Sequence, residues 1–243
     1  AEAQDEAPGF AFVVRAMQIE YLKPARMDDV LDIAQEEATE DIHKLVGSER
    51  LDQPYLKMRF GSMLRKRSVW LIVLFFGQML TATAMGRFEA ELAQAMILAL
   101  FVPLIISSGG NSGSQAAALI IRALTIGDIQ LRDWLRVLGR ELVTGLSIGG
   151  ILGGLGFLRI AAVQLLNGSY GPHWLLIGTT ISLSLIGVVL WGTLMGSMLP
   201  FLLERLRLDP ATSSTPVVST LVDVTGILLY FSIASMVLRG TLL

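Results

Sequence analysis

The chain has 243 residues, of which 53% are hydrophobic and only 16% charged, with a formal net charge of −2 and a mean hydropathy of +0.61. Soluble domains carry about 25% charged residues, so a soluble globular protein is a poor match, and no basic, aromatic-interleaved patch speaks for nucleic acid. There are no cysteines, which excludes a disulfide framework and a thiolate metal site.

Residues 1–67 hold 24 of the 42 charged or histidine residues, a cytosol-like composition. The first 60 residues are mixed rather than basic and then apolar, unlike a secretory signal. The chain opens on Ala1 rather than Met, which reads as a processed or shortened N-terminus. Phe10–Val14 is read as a short strand; the rest of residues 1–27 has no pattern. Asp28–Val46 reads as an amphipathic helix stopped at Gly47. On it Asp29, Asp32, Glu36 and Glu40 share a face, with Glu37 and Asp41 beside them. Like charges at this spacing cost a few tenths of a kcal/mol each; either solvent or bound divalent cations would relieve them. Met58–Arg67 reads as a basic amphipathic segment on a membrane surface.

Five apolar runs follow, each long enough for the ~20 residues that cross a bilayer: 69–86, 92–123, 142–166, 174–203 and 216–238; the second is too long for one straight crossing. Lys57, Arg59, Arg65, Lys66 and Arg67 precede the first. Arg122, Arg132, Arg136 and Arg140 lie between the second and third, and Arg205 and Arg207 follow the fourth. Cytoplasmic loops are enriched in Lys and Arg, so the N-terminus is expected in the cytoplasm and the C-terminus outside. Trp70, Trp134, Tyr170 and Trp174 fall near the expected interfaces. The expected fold is therefore an all-α membrane protein of five transmembrane helices. No internal repeat is evident, and five spans do not divide into matched halves; a pore assembled from two chains is the simpler arrangement.

Three features of the spans go beyond what anchoring requires. The second contains Pro103 and the run Ser107-Ser108-Gly109-Gly110-Asn111-Ser112-Gly113-Ser114-Gln115. The glycines are expected to break or kink the helix, and backbone freed inside a bilayer must be buried in protein or line a wet cavity. Exposed carbonyls, Asn111 and Gln115 then become candidate cation ligands; the alternatives are a helix end at the interface and a phosphate-cradling Gly-rich loop, for which the P-loop Lys and a preceding strand are lacking. Asp223 lies within the fifth span, where a carboxylate costs at least about 2.5–3.5 kcal/mol on insertion scales. With no Lys or Arg near it in that span, its partner is a cation or a water-filled route, or else it is a protonated or interhelically bonded structural group. Counted along straight helices, Asn111 and Asp223 both fall in the cytoplasmic half. The third span has Gly145, Gly149 and Gly153 at four-residue spacing, plus Gly150 and Gly154, and the fourth has Gly192 and Gly196; small residues so spaced let helices approach closely. Hard oxygen donors suit Mg²⁺ or Ca²⁺, and one carboxylate per chain, doubled across a two-fold axis, suits an ion that keeps most of its water. His43 and His173 lie outside the spans, which disfavours Zn²⁺ or Cu⁺.

Pro103–Ile121 (PLIISSGGNSGSQAAALII), Arg87-Phe88-Glu89, Asp209-Pro210-Ala211, Thr220–Phe231 (TLVDVTGILLYF), Asp29–Asp32 and Glu37–Leu45 together resemble the MgtE family of Mg²⁺ channels and transporters, over about 210 residues from near residue 28 to the end. The resemblance implies a homodimer in the cell membrane with one pore at the subunit interface. It implies a central Mg²⁺ site at Asp223, backbone oxygens near Ser219 and a close-packed Gly226 in the selectivity region, and Asn111 lining the pore. It further implies that Asp29, Asp32, Glu37, Glu40 and Asp41 belong to a cytosolic Mg²⁺ sensor on a connecting helix. Thr215 stands where some relatives have Asn. About 27 residues precede that helix, too few for the acidic superhelical domain and tandem CBS module of the family, which leaves Mg²⁺-locked closure without its usual partner surface. The expected division is a short N-terminal segment (1–27), a connecting helix and surface segment (28–67) and a pore domain (68–243). The expected activity is non-enzymatic flow of hydrated Mg²⁺ down its gradient; a transporter coupled to H⁺ or Na⁺ is the alternative. Expected partners are a second copy, lipid and divalent cations, not nucleic acid.

Overall fold

A computed structural model of the chain describes residues 55–89, 96–209, 215–239 and 241. After a short 3-10 turn at Tyr55–Lys57 come α1 (Phe60–Gly86), the single turn α2 (Met96–Ala99), α3 (Val102–Thr125), α4 (Trp134–Asn167), α5 (Trp174–Arg205) and α6 (Thr215–Leu238). A second 3-10 turn, Leu131–Asp133, leads into α4. No strand occurs among the described residues. Five helical stretches, α1, α2–α3, the 3-10 turn with α4, α5 and α6, are long and apolar enough to cross a membrane, so the five-span all-helical expectation holds. The strand expected at Phe10–Val14 and the helix at Asp28–Val46 lie outside the described residues.

The helices alternate in direction. At one end of the bundle meet the C-termini of α1, α4 and α6 and the N-termini of α3 and α5. Here the main core forms, with Leu98, Ile105, Ile160, Ile181, Leu185, Val188, Ile227, Tyr230 and Phe231 all at 2% exposure or less. Phe88, just past α1, stacks on Phe231 with ring centroids 4.8 Å apart. A smaller cluster of Ala117, Ile121, Val218 and Val222 lies toward the other end. α4 packs chiefly on α5, α5 also on α3 and α6, and α1 chiefly on α6. Most of α1 is uncovered: Leu71, Ile72, Val73, Phe75 and Phe76 are each more than half exposed, as suits a surface meant for lipid or another helix.

The helix break is not where the glycines predicted it. α3 runs unbroken through Gly109–Gly113, and the chain breaks instead at Leu100–Phe101, between α2 and α3. Pro103 explains the position. It stands in the first turn of α3, where its missing N–H removes no intrahelical bond, whereas further in it would. The break is held by Leu98, whose carbonyl accepts both the Phe101 N–H at 3.1 Å and the buried Tyr230 hydroxyl at 2.9 Å.

The glycines of α3 serve packing. A Cβ on Gly192 would run into the Gly109 carbonyl, and one on Gly196 into the Gly113 carbonyl. Two small-residue pairs, each at four-residue spacing, thus bring α3 and α5 into backbone-to-backbone contact. Beside them the Ser112 hydroxyl lies 2.7 Å from that of Thr193. Thr193 gives its proton to the Val189 carbonyl, so Ser112 is the donor of the pair. On α4, Gly145, Gly149 and Gly153 face the backbone or side chains of Leu190, Ile186 and Ser182 on α5, but Gly150 and Gly154 have open space around them. Of these five, only the first three carry the packing role within the chain.

Two boundaries also move. α1 begins at Phe60, so the basic stretch read as a surface segment forms its first two turns. α4 begins at Trp134, which puts Arg136 and Arg140 on the helix rather than in the preceding loop.

Candidate cation site

α1, α3 and α6 leave a cleft of about 360 Å³ between them, lined by polar residues from all three. α6 supplies Ser219 and Asp223, one helical turn apart. α3 supplies Ser107 and Asn111, again one turn apart, and α1 supplies Gln78 and Thr81. Four-residue spacing is what puts each pair on one face of its helix. Ile106, Ile227, Met85 and Val102 make the apolar part of the wall.

The Asp223 carboxylate accepts a 2.6 Å hydrogen bond from the Gln78 side-chain amide. Its other oxygen faces Gly110, where an added Cβ would lie 3.5 Å from Oδ1 and 2.8 Å from the Ser219 hydroxyl. The missing side chain at Gly110 is therefore part of the site: it lets Ser219 and Asp223 approach α3. Asn111 is exposed while Asp223 and Ser219 are half-buried, so both the amide and the carboxylate reach the open space. No lysine or arginine lines the cleft among the described residues.

Of the residues singled out from the sequence, Asp223, Ser219 and Asn111 come together in this cleft. Gly226 does not line it. It is buried behind the wall, where a Cβ would lie 3.2 Å from Val188 and 3.3 Å from Ile106. Thr215 stands at the start of α6, outside the cleft, and its carbonyl accepts a 3.1 Å bond from Ser114. Gln115 is exposed and also outside. Asp29, Asp32, Glu37, Glu40 and Asp41 lie outside the described residues. Gln78, the direct partner of Asp223, was missed, although an amide in the apolar run 69–86 was a signal of the same kind as Asp223.

The depth of the site needs correction. Counting from residue 92 along a straight helix set Asn111 in the cytoplasmic half. The break at Leu100–Phe101 restarts the count at Val102, so Asn111 is nine residues, about 14 Å, into α3. Asp223 is eight residues, about 12 Å, into α6 from the opposite end. The cleft reaches Met85, Val102 and Pro103, and so extends from mid-bundle to the end where α3 begins, the side that the Lys and Arg distribution reads as external.

The donors are hard oxygens: one carboxylate, two side-chain amides and three hydroxyls. No group of three or more acidic, histidine or cysteine side chains occurs among the described residues. The described lining of the cleft thus offers no cage to replace a cation's whole hydration shell. It offers a negative charge and hydrogen-bonding groups around a space large enough for several waters, which fits a small hard cation that stays hydrated, as Mg²⁺ tends to.

The MgtE family model, described as a divalent cation transporter, matches residues 102–233, a stretch that includes Asn111, Ser219 and Asp223. A curated protein named magnesium transporter MgtE from Thermus thermophilus is 42% identical over 214 residues. Proteins of the same name from Enterococcus faecalis and Bacillus subtilis are 33% and 32% identical over 213 and 209 residues. These alignments take in 86–88% of this chain but 44–46% of each relative, so the chain spans somewhat less than half the length of the curated proteins it matches. All three bear the names of transporters, none that of an enzyme.

Proposed function

Because the chain belongs to the MgtE family of divalent cation transporters, we propose that it conducts hydrated Mg²⁺ through a membrane along a path that passes Asp223. The observation that carries this is the placement of the Asp223 carboxylate in a polar cleft shared with Asn111 and Ser219, inside an otherwise apolar bundle. A carboxylate so placed is costly; the Gln78 amide that bonds it is neutral, and none of the described residues lining the cleft is cationic.

Electrostatics supports the same reading. Attraction between a divalent ion and a carboxylate is stronger in a partly buried cleft than in bulk water, because the effective dielectric constant is lower. Mg²⁺ demands near-ideal octahedral geometry at 2.0–2.1 Å and gives up water reluctantly. Asp223, Asn111 and Ser219 would therefore meet its bound waters rather than the metal. Two copies meeting along the uncovered flank of α3 and α6 would put two carboxylates and two amides about one route. Such a homodimer is part of the proposal, as is flow down the electrochemical gradient rather than coupling to H⁺ or Na⁺.

The test is Mg²⁺ flux into liposomes holding the purified chain. Asp223→Ala is expected to cut flux to the background of empty liposomes while the protein keeps its elution volume and melting behaviour. Undiminished flux through that variant refutes the site. Dependence of wild-type flux on an imposed proton or sodium gradient refutes the uncoupled mechanism.

A further inference from the structure

A second concavity lies away from the cleft, where α4 begins and α5 ends. It has a volume of about 630 Å³ and is lined by Leu131, Trp134, Leu138, Met195, Met198 and Leu199, among others, with Arg132 and Arg205 the two charged residues of its lining among the described residues. Leu199 and Met195 rest on one buried cluster and Met198 on another, so the floor is firm. Leu131, Trp134 and Leu202 are 39%, 45% and 53% exposed, so the rim is open. Both arginines come from segments that the Lys and Arg distribution assigns to the cytoplasmic edge.

Among the described residues the two guanidinium groups have no acidic partner. Asp133, next to Arg132, pairs instead with Arg136 at 3.4 Å and with the Gln130 N–H at 3.0 Å. Glu204, next to Arg205, does not line the pocket. Neither Arg132 nor Arg205 has an ion pair among the described residues. Two cations over an apolar groove, with an interfacial tryptophan at its edge, call for a ligand with an anionic head and an apolar tail.

We propose that this groove holds an anionic phospholipid of the cytoplasmic leaflet, its phosphate between Arg132 and Arg205 and an acyl chain along Leu138, Met195 and Leu199. Guanidinium groups match phosphate oxygens in planar, paired hydrogen bonds. Basic pockets between membrane helices on the cytoplasmic side are suited to such headgroups. A soluble anion would use the arginines and leave the apolar walls wet, and an apolar peptide would leave the arginines uncompensated. This inference depends only on the helices spanning a membrane, not on transport.

The test is lipid retention by the delipidated full chain, read by native mass spectrometry with phosphatidylglycerol or phosphatidylcholine added. Phosphatidylglycerol is expected to be preferred by about thirtyfold, the scale set by two basic residues near a membrane surface. Arg132→Gln with Arg205→Gln should reduce the preference to none, and each single change should lower it. Met198→Trp, which fills the groove and leaves both arginines in place, should weaken retention of both lipids. Arg140→Gln, outside the groove, should change nothing. Equal retention of the two lipids by the wild type overturns the proposal. So does a preference that survives the double change, or displacement of phosphatidylglycerol by glycerol phosphate at equal concentration, which would mark a site for soluble anions. A double variant that loses dimers while keeping its lipid preference would assign the groove to a subunit contact and overturn the proposal as well.

Discussion

At the scale of single residues, the pairing of Gln78 with Asp223 decides most. A hydrogen bond to an ionised group contributes about 1.5–3 kcal/mol when desolvated, less where, as here, the group is only half-buried. Gln78→Leu is therefore expected to lower unfolding stability by about 1 kcal/mol and to change the Mg²⁺ dependence of flux. A double-mutant cycle with Asp223→Asn should show a coupling of at least about 0.5 kcal/mol; additive effects would mean that the two side chains do not act together. Gly110→Ala is expected to reduce flux more than stability, since the added methyl points at the Ser219 hydroxyl and the carboxylate rather than at backbone. Asp223 was legible in the sequence because a lone acid in an apolar run has an energetic signature. Gln78 has a weaker one, since a neutral amide costs far less to insert, and its meaning depends on a contact 145 residues away.

At the scale of helices, the glycines sort by what faces them. Gly192→Ala and Gly196→Ala drive a methyl into backbone carbonyls of α3 and are expected to destabilise by about 3 kcal/mol or more. Gly150→Ala and Gly154→Ala meet open space and are expected to be neutral or to stabilise by up to about 1 kcal/mol through helix propensity. Thermal melting of the four variants in one detergent checks the contrast; equal losses would contradict the packing described. Tyr230→Phe removes the hydroxyl that ties α6 to the break at Leu98. It should cost about 0.5–1.5 kcal/mol and speed hydrogen exchange in residues 96–101. Spacing alone showed that small residues pack here. It could not show which side of each helix does so, because Gly149 and Gly150 are adjacent in sequence but face α5 and open space respectively. The break was misplaced for a related reason. Glycine in a helix is a modest propensity cost that close packing offsets, whereas proline is a steric and hydrogen-bonding constraint that packing cannot remove.

At the scale of the whole molecule, the number of helices and their all-α character followed from hydropathy, since a bilayer admits few other spanning structures. How the helices pack did not follow, because lipid-facing and helix-facing apolar residues look alike in composition. If Mg²⁺ binds the folded chain, it should raise the melting temperature. At a concentration a hundred times the dissociation constant the gain is about 2.7 kcal/mol, and Asp223→Asn should abolish it; an equal rise in the variant would locate the stabilising ion elsewhere. The backbone crossing of α3 and α5 has a mechanical consequence. Joined at two levels without intervening side chains, these helices form a stiff strut, and α3 is the unyielding jaw of the cleft. The opposite jaw, α1, leans chiefly on α6 and is latched by the bond from Gln78. A cation that claims the carboxylate competes for the very group this latch holds, so ion occupancy and the seating of the compliant jaw draw on one pair of oxygens.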